Sequence, residues 1–180
     1  GADSYVIDVE TIRLGLIIFK KFGLSNIRLE INSYGCPECR PKYHKKLHSY
    51  WEDIKDTLCS QCGGDYHHFL NHSSECSSCN SIWQKSPSIM NELCDNCAIN
   101  FVRIKKTLSN LMHDFVVNPH LSMNFPYYNQ LVFQYKIPKK DKYLIIGSGG
   151  RYDILVKTIS GKSLPAVGFS ANIEMLLSTI

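Results

Sequence analysis

Eight cysteines in four Cys-x-x-Cys pairs constrain the fold of this chain more than any other feature of its sequence. In chain order, the first to fourth pairs are Cys36/Cys39, Cys59/Cys62, Cys76/Cys79 and Cys94/Cys97. Two thiolates at this spacing occupy two corners of a tetrahedral zinc site, and a second pair completes it. The pattern therefore predicts one or two four-cysteine structural zinc sites, which stabilise a region with few apolar residues of its own.

Other uses of the thiols stay open from the sequence. An even number of cysteines is typical of disulfide frameworks in secreted chains. A disulfide within one Cys-x-x-Cys pair closes a very short loop, however, and is more typical of redox sites. Thiols that no longer bind a metal are a third alternative. Since no secretory segment is visible, we favour zinc and a reducing compartment, either the cytoplasm or an organellar stroma or matrix.

The length of the second predicted helix limits how the cysteine pairs combine. A helix from Arg40 to Leu58 is roughly 28 Å long, so the first and second pairs lie too far apart to share an ion. We favour the second pair with the fourth, across an antiparallel return helix, which leaves the first pair with the third. The alternative joins the second and third pairs across a loop. Three histidines are alternative ligands: His67, His68 and His72.

The remaining patterns predict an α+β fold, with helices on one side of a mostly antiparallel sheet. Apolar periodicity and capping residues predict helices over 8–22, 41–58 and 86–111, a short helix after residue 150, and a last helix from about Ala171. Alternation predicts strands over 27–31, 114–118, 129–137, 142–146 and 166–169. Residues 147–150 follow the strand 142–146, and a glycine turn at 149–151 is one interpretation of their role. The net charge of +4 permits RNA binding without demonstrating it, and no apolar run is long enough for a membrane span.

Several motifs, in one order along the chain, resemble those of bacterial-type histidyl-tRNA synthetases. The matching segments are LEINSYGCPECR at 29–40, SPSI at 86–89, LCDNC at 93–97, GGRYD at 149–153 and PAVGF at 165–169. The regulatory subunit of ATP phosphoribosyltransferase, a non-ligating relative, shares the same core. The resemblance implies the second half of a class II aminoacyl-tRNA synthetase sheet flanked by helices. It places the dimer-forming and ATP-binding motifs before Gly1 and the anticodon-binding domain after the chain.

The resemblance also implies a division of the chain. Residues 1–35 and 114–180 correspond to the synthetase-like sheet core. Residues 36–113 correspond to a cysteine-rich, zinc-binding helical insertion.

Two departures from the family motifs shape the predicted function. Met123 stands where the family's RGLDYY segment has an arginine, and Pro126 replaces the aspartate of that segment. Met175 replaces the arginine of the family's GIER sequence, which contacts ATP. Methionine supplies neither a fixed positive charge nor the two-pronged contact of a guanidinium. Charge stabilisation of this kind is often worth several kcal/mol in a transition state, so we expect no catalytic residues in this chain.

What the resemblance leaves of the histidine and ATP pocket is a vestigial set: Glu30, Tyr127, Tyr128, Gly149, Gly150 and Arg151. Each member has a purely structural alternative. The tyrosines are equally typical of half-buried sheet residues, and the glycines of a turn packed against a strand. Arg151 pairs in that interpretation with Glu174 or Asp153, and Glu30 points to solvent.

The favoured function is that of a catalytically inactive synthetase-like protein, acting as a structural or regulatory subunit of a larger assembly. One alternative is a fragment or split half of a functional histidine–tRNA ligase. Others are a histidine sensor and an RNA-binding module that uses Trp51 or Trp83. The strands absent from a half-domain would leave a sheet edge exposed, so we expect a protein partner.

Overall fold

The computed structural model describes residues 1–72, 76–111, 114–121, 123, 127–140 and 142–178, without the side chains of 71 and 72. In this part of the chain the helices and strands are α1 Tyr5–Lys21, β1 Arg28–Ser33, α2 Arg40–Ile54, α3 Ser60–Gly64, α4 Tyr66–His72, α5 Asn80–Trp83, α6 Asp95–Leu111, β2 Phe115–Val117, β3 Asn129–Lys139, β4 Lys142–Arg151, α7 Asp153–Ser160, β5 Val167–Ala171 and α8 Ile173–Leu177. Short 3-10 helices follow α2 and precede α6, at Lys55–Thr57 and Ile89–Glu92. None of the described helices is long and apolar enough to cross a membrane.

The strands form one sheet in the order β2-β1-β3-β4-β5. Strand β2 runs parallel to β1, and the other neighbouring strands are antiparallel. The α+β class predicted from the sequence is confirmed. Helix α2 and the 3-10 helix after it together cover residues 40–57, one residue short of the end of the predicted helix 41–58.

The interpretation of residues 149–151 as a glycine turn is wrong, because the strand predicted to end at residue 146 continues as β4 to Arg151. Gly147 and Gly149 face the side of the sheet that carries the core. A Cβ atom on Gly147 would lie 2.8 Å from the ring of Phe19, and one on Gly149 would lie 2.6 Å from the ring of Phe133. The glycines therefore leave room for aromatic rings inside a strand and do not reverse the chain.

The main core lies between this face of the sheet, here called the helix face, and helices α1 and α6. Alternate residues of the central strands are fully buried there: Leu29, Ile31, Phe133 and Tyr135. The helices add one stripe each at helical spacing: Val9, Ile12, Leu16 and Phe19 from α1, and Phe101, Ile104 and Leu108 from α6. Helix α6, which the predicted division assigns to the insertion, thus packs in the core beside the sheet. The division itself stays a prediction.

A second, smaller core lies among α2, α4 and α5. It is built from aromatic and aliphatic side chains together with two of the cysteines: Leu47, Trp51, Phe69, Trp83, Cys62 and Cys79. The indole Nε1 of Trp51 donates a hydrogen bond of 2.8 Å to the carbonyl oxygen of Cys62. Because the apolar residues of this core are few, they bury little surface. This region therefore needs a further source of stability.

A buried ion pair joins the start of α1 to the end of β4. Arg151 Nη2 lies 2.8 Å from Asp8 Oδ1, and both side chains are at most 1% exposed. The guanidinium also contacts Asp153 Oδ1 at 3.4 Å and donates to the carbonyl oxygen of Ala2 at 3.1 Å. Asp153 is one of the partners proposed for Arg151 from the sequence, whereas Asp8 was not foreseen.

Replacement of Arg151 by methionine should destabilise the fold strongly. The change leaves the Asp8 carboxylate buried without its counter-charge, which costs about 3–5 kcal/mol of unfolding free energy. Urea denaturation followed by circular dichroism measures the loss. Arg13→Met is the matched control, because Arg13 is exposed on α1 and its loss should change stability by less than about 0.5 kcal/mol. Equal unfolding midpoints for the two variants would show that the buried pair does not hold α1 to the sheet.

Candidate metal centres and the polar sheet face

Two groups of four cysteines come together in the structure. Quartet A, Cys36, Cys39, Cys94 and Cys97, has all its sulfur atoms within 4.8 Å of one another. The Sγ atom of Cys36 lies 3.6 Å from that of Cys39 and 3.8 Å from that of Cys94. A tetrahedral ion with metal–sulfur bonds of about 2.3 Å requires sulfur–sulfur distances near ~3.8 Å. Quartet A therefore has the dimensions of a metal site.

Quartet B has the same dimensions. It consists of Cys59, Cys62, Cys76 and Cys79, whose sulfur atoms also lie within 4.8 Å of one another. The Sγ atoms of Cys59 and Cys76 are 3.9 Å apart. Ser78 and the backbone amides of Cys79 and Ser78 lower the pKa of the Cys76 thiol to about 6, so a thiolate forms readily at this corner.

The quartets share one local design. Each contains a pair in a tight turn just before a helix and a pair at the start of another helix. The amide of Cys94 donates to Cys39 Sγ at 3.1 Å in quartet A, and the amide of Cys59 donates to Cys79 Sγ at 3.4 Å in quartet B. Such N–H donors favour the charged thiolate, which is the form that binds a metal.

The favoured pairing of the cysteines is wrong. The structure joins the first pair with the fourth and the second with the third. Among the described residues, no antiparallel return helix brings the fourth pair to the far end of α2. Instead, α3, α4 and α5 are short and turn the chain back, so that Cys76 reaches Cys59. Helix α6 then begins beside the start of α2, at quartet A. The argument that α2 separates the first and second pairs holds.

Both quartets fit a closed site for a soft metal ion. All eight cysteines are free thiols, and Cys39, Cys62, Cys79 and Cys97 are buried. Four sulfur ligands in a tetrahedron are typical of zinc or iron. Neither His67 nor His68 belongs to a quartet, and the side chain of His72 lies outside the described residues. Each quartet can therefore bind one metal ion through cysteine alone.

The second candidate region is the polar face of the sheet, opposite the helix face. Glu30 on β1 is 4% exposed there, so it does not point to solvent. Its carboxylate contacts Lys136 Nζ at 2.8 Å and Arg28 Nε at 2.9 Å. Asn118 Nδ2 donates to it at 2.8 Å. Burial opposes ionisation, but the hydrogen bonds from Lys136 and Asn118 hold the pKa of Glu30 below its usual value.

The vestigial pocket residues do not form one cluster. The rings of Tyr127 and Tyr128 are 4.9 Å apart, and a Cβ on Gly150 would lie 2.9 Å from the Tyr128 ring. These residues lie together on the polar face. Gly149 faces the opposite side, and Arg151 is engaged by Asp8 and Asp153. The assignment of these residues to a pocket stays a prediction.

Met123 occupies a neutral, buried position on this face. Its side chain packs beside Leu121, Tyr128 and Val132 and is 7% exposed. Gln134 Nε2 contacts its sulfur at 3.6 Å, and the Tyr34 hydroxyl accepts a hydrogen bond from its amide. Gln134 was not predicted as a site residue. Its signal in the sequence is a glutamine between the aromatic residues Phe133 and Tyr135. Residues 124–126, including Pro126, lie outside the described residues.

Comparisons with known proteins agree with this geometry. A family model described as histidyl-tRNA synthetase matches residues 82–176. Histidine–tRNA ligases of Caldanaerobacter subterraneus subsp. tengcongensis and Clostridium novyi are each 35% identical to the whole chain, which covers 44% and 43% of their lengths. The chain thus spans less than half the length of these curated relatives.

Solved structures show the same fold. Apo histidyl-tRNA synthetase from S. aureus superposes with a TM-score of 0.73 at 25% identity, over 99% of this chain and 44% of that one. A Bacillus halodurans protein described as an ATP phosphoribosyltransferase regulatory subunit/histidyl-tRNA synthetase gives 0.60 at 18% identity, over 99% and 50%. The second likeness concerns the fold alone. Together, the matched family model and the 35% identity across its full length place this chain in the histidyl-tRNA synthetase family.

Proposed function

We propose that this chain is a catalytically inactive histidyl-tRNA synthetase-like protein that serves as a structural or regulatory subunit of a larger assembly. The observation that carries the proposal is the environment of Met123. An uncharged thioether sits buried at the position where the family resemblance places an arginine. Without a cation there, the negative charge that develops on phosphate during amino-acid activation has no partner at this position.

Three cations bound to the sheet do not replace the lost charge, because carboxylates already engage them. On the polar face, Lys136 and Arg28 both contact Glu30, and on the helix face Arg151 contacts Asp8 and Asp153. Met175, at the second altered position, likewise carries no positive charge. Its amide is hydrogen-bonded to Asn172 Oδ1 at 3.0 Å, as part of the cap of α8. A chain that keeps the family fold but lacks these two positive charges is suited to a role in binding or scaffolding.

The end of the described sheet supports the proposal of a protein partner. Strand β5 is an outer strand, with one neighbour among the described strands. Beside it, Ile173 is 67% exposed and Leu177 is 72% exposed. Outer strands and exposed apolar side chains favour association with another polypeptide.

A second candidate function is a fragment or split half of a working histidine–tRNA ligase. The partial coverage of the ligases from Caldanaerobacter and Clostridium favours this alternative, because a second chain carrying the remainder could complete the site. The two functions differ in whether this half can support catalysis when the missing half is supplied.

A chimaera separates the two functions. The matching segment of the Clostridium novyi ligase is replaced by this chain, and histidine-dependent pyrophosphate exchange is measured. We expect exchange at least about 100-fold below that of the parent ligase, the factor typical for loss of one charge-stabilising group. Met123→Arg combined with Met175→Arg should recover part of the rate. Zinc content and thermal melting serve as controls for folding. An unsubstituted chimaera that works within about tenfold of the parent would contradict inactivity and favour the split ligase.

We infer that both quartets bind zinc in a reducing compartment. Four protein sulfurs fill the coordination sphere, which is typical of a structural ion with no open position for substrate. Quartet B lies within the small second core, where Cys62 and Cys79 pack beside Trp51 and Trp83. Binding of the ion would then supply much of the folding free energy of this region.

Loss of one ligand should release one zinc ion and melt the second core. Cys79→Ser is expected to halve the zinc content of the reduced protein and to lower its stability by about 3 kcal/mol or more, roughly 10 °C in melting midpoint for a chain of this size. Elemental analysis and calorimetry measure the two effects. Ser77→Ala, an exposed neighbour, should change neither. Unchanged melting of Cys79→Ser after zinc loss would show that the ion does not stabilise the fold.

A further inference from the structure

The two quartets differ in how firmly the protein around them is packed. Quartet B lies in the second core, among helices of five, seven and four residues, α3, α4 and α5. Quartet A lies between β1 and the 17-residue helix α6, whose inner stripe packs in the main core. Local opening costs least free energy where few apolar side chains are buried. The second core should therefore open more often than the main core.

Two sulfur atoms of quartet B are also less enclosed than those of quartet A. Cys59 and Cys76 are half-buried, and few protein atoms surround either thiol. In quartet A, the protein surrounds Cys36 and Cys97 more closely. Cys59 and Cys76 belong to different Cys-x-x-Cys pairs, and their Sγ atoms lie 3.9 Å apart. A small oxidant can therefore reach both sulfurs, which are near enough for a local movement to join them.

We propose that quartet B is a redox-sensitive zinc site. A peroxide joins Cys59 to Cys76 as a disulfide, which releases the zinc ion and opens the second core, while quartet A keeps its ion. The proposal rests on the zinc binding inferred above. After oxidation Cys62 and Cys79 are the remaining thiolates, and they cannot complete a tetrahedral site alone. The second core then lacks the ion that supplies much of its folding free energy.

The chemistry balances with one hydrogen peroxide for each disulfide. One of the two thiolates attacks a peroxide oxygen, so the O–O bond breaks, hydroxide leaves and a sulfenic acid forms. The other thiolate attacks the sulfur of that sulfenic acid, the S–O bond breaks and a second hydroxide leaves. Each sulfur has then given up one electron, and the peroxide has been reduced to two hydroxides. Because a dithiol reductant reverses disulfide formation, the change can be undone.

The two tryptophans of the chain report on the second core. Trp51 and Trp83 are both buried there, and the indole of Trp51 is hydrogen-bonded to the carbonyl oxygen of Cys62 in quartet B. Opening of the second core exposes both indoles to water, which shifts their fluorescence to longer wavelength. Loss of the ion from quartet A alone leaves the second core with its own ion. Tryptophan emission therefore follows the fate of quartet B.

Stepwise oxidation of the reduced, zinc-loaded full chain with hydrogen peroxide tests the proposal. We expect quartet B to react at least about tenfold faster than quartet A. About one zinc ion per chain should be released first, with a red shift of tryptophan emission, and peptide mass mapping should find Cys59 joined to Cys76. A dithiol reductant with added zinc should restore the emission.

Three results would overturn the proposal: a first disulfide in quartet A, equal rates for the two quartets, or an emission shift that reductant and zinc do not reverse. Zinc content before oxidation tests the premise separately. A reduced chain without zinc contradicts the metal assignment as well, whereas a chain that binds two ions and loses that of quartet A first contradicts this proposal alone.

A pair of variants tests whether opening of the second core controls the reaction. Phe69 and Phe101 are buried in the second core and the main core, respectively. Phe69→Leu loosens the packing beside quartet B, so Cys59 and Cys76 should oxidise about fivefold faster. Phe101→Leu, the matched control, should leave that rate within about twofold.

Zinc content and circular dichroism report whether the two variants are folded. If Phe69→Leu does not fold, the comparison of the two quartets in the unaltered chain still decides the outcome. Equal oxidation rates of Cys59 and Cys76 in the two folded variants would show that local opening does not control the reaction, and would overturn the proposal.

Discussion

In each quartet, four cysteine thiols converge on one possible metal position. This convergence fixes the path of the described residues between 36 and 97. Quartet A joins the turn before α2 to the start of α6, and quartet B joins the start of α3 to the turn before α5. The connecting helices α3, α4 and α5 are short, and the second core that they enclose is small. Metal coordination is strong enough to offset the conformational entropy that so small a core cannot offset alone.

The two quartets also set the relation between the cysteine-rich region and the sheet. Quartet A lies next to β1, because Gly35 and Cys36 follow that strand almost directly. From there, α6 runs back to pack on the helix face, while α2 leads away to quartet B. Between the two regions lies a cavity of about 270 Å³, and residues from both regions line it. A metal ion at quartet A would therefore order the core and the cavity together.

The sequence predicts periodic elements well, because their signals are local. The stripe that ends at Phe19, the alternation around Leu29 and the hairpin of β3 and β4 each depend on neighbours within a few residues. The pairing of the cysteine quartets depends on the path of residues 60–83, which carry no strong period. Likewise, Gly147 and Gly149 resemble a turn until the rings of Phe19 and Phe133 are placed beside them. Contacts between residues far apart in the chain determine both the cysteine pairing and the conformation of these glycines. No local pattern in a single sequence predicts such contacts.

The candidate site shows the same division between local and long-range information. The motifs around Met123 and Met175 reveal which charges are absent, since an altered motif is visible in the sequence. They do not reveal that Glu30 is engaged by Lys136 and Arg28, or that Asp8 reaches Arg151 from 143 residues away. The charge balance on both faces of the sheet therefore emerges only from the folded structure.

Zinc-edge X-ray absorption on the reduced full chain, together with its mass under native conditions, tests the metal assignment most directly. We predict two zinc ions per chain, each with four sulfur neighbours at about 2.3 Å. A nitrogen ligand in the first coordination shell, or a single zinc ion per fully reduced chain, would contradict the quartets on which the arrangement of residues 36–97 depends.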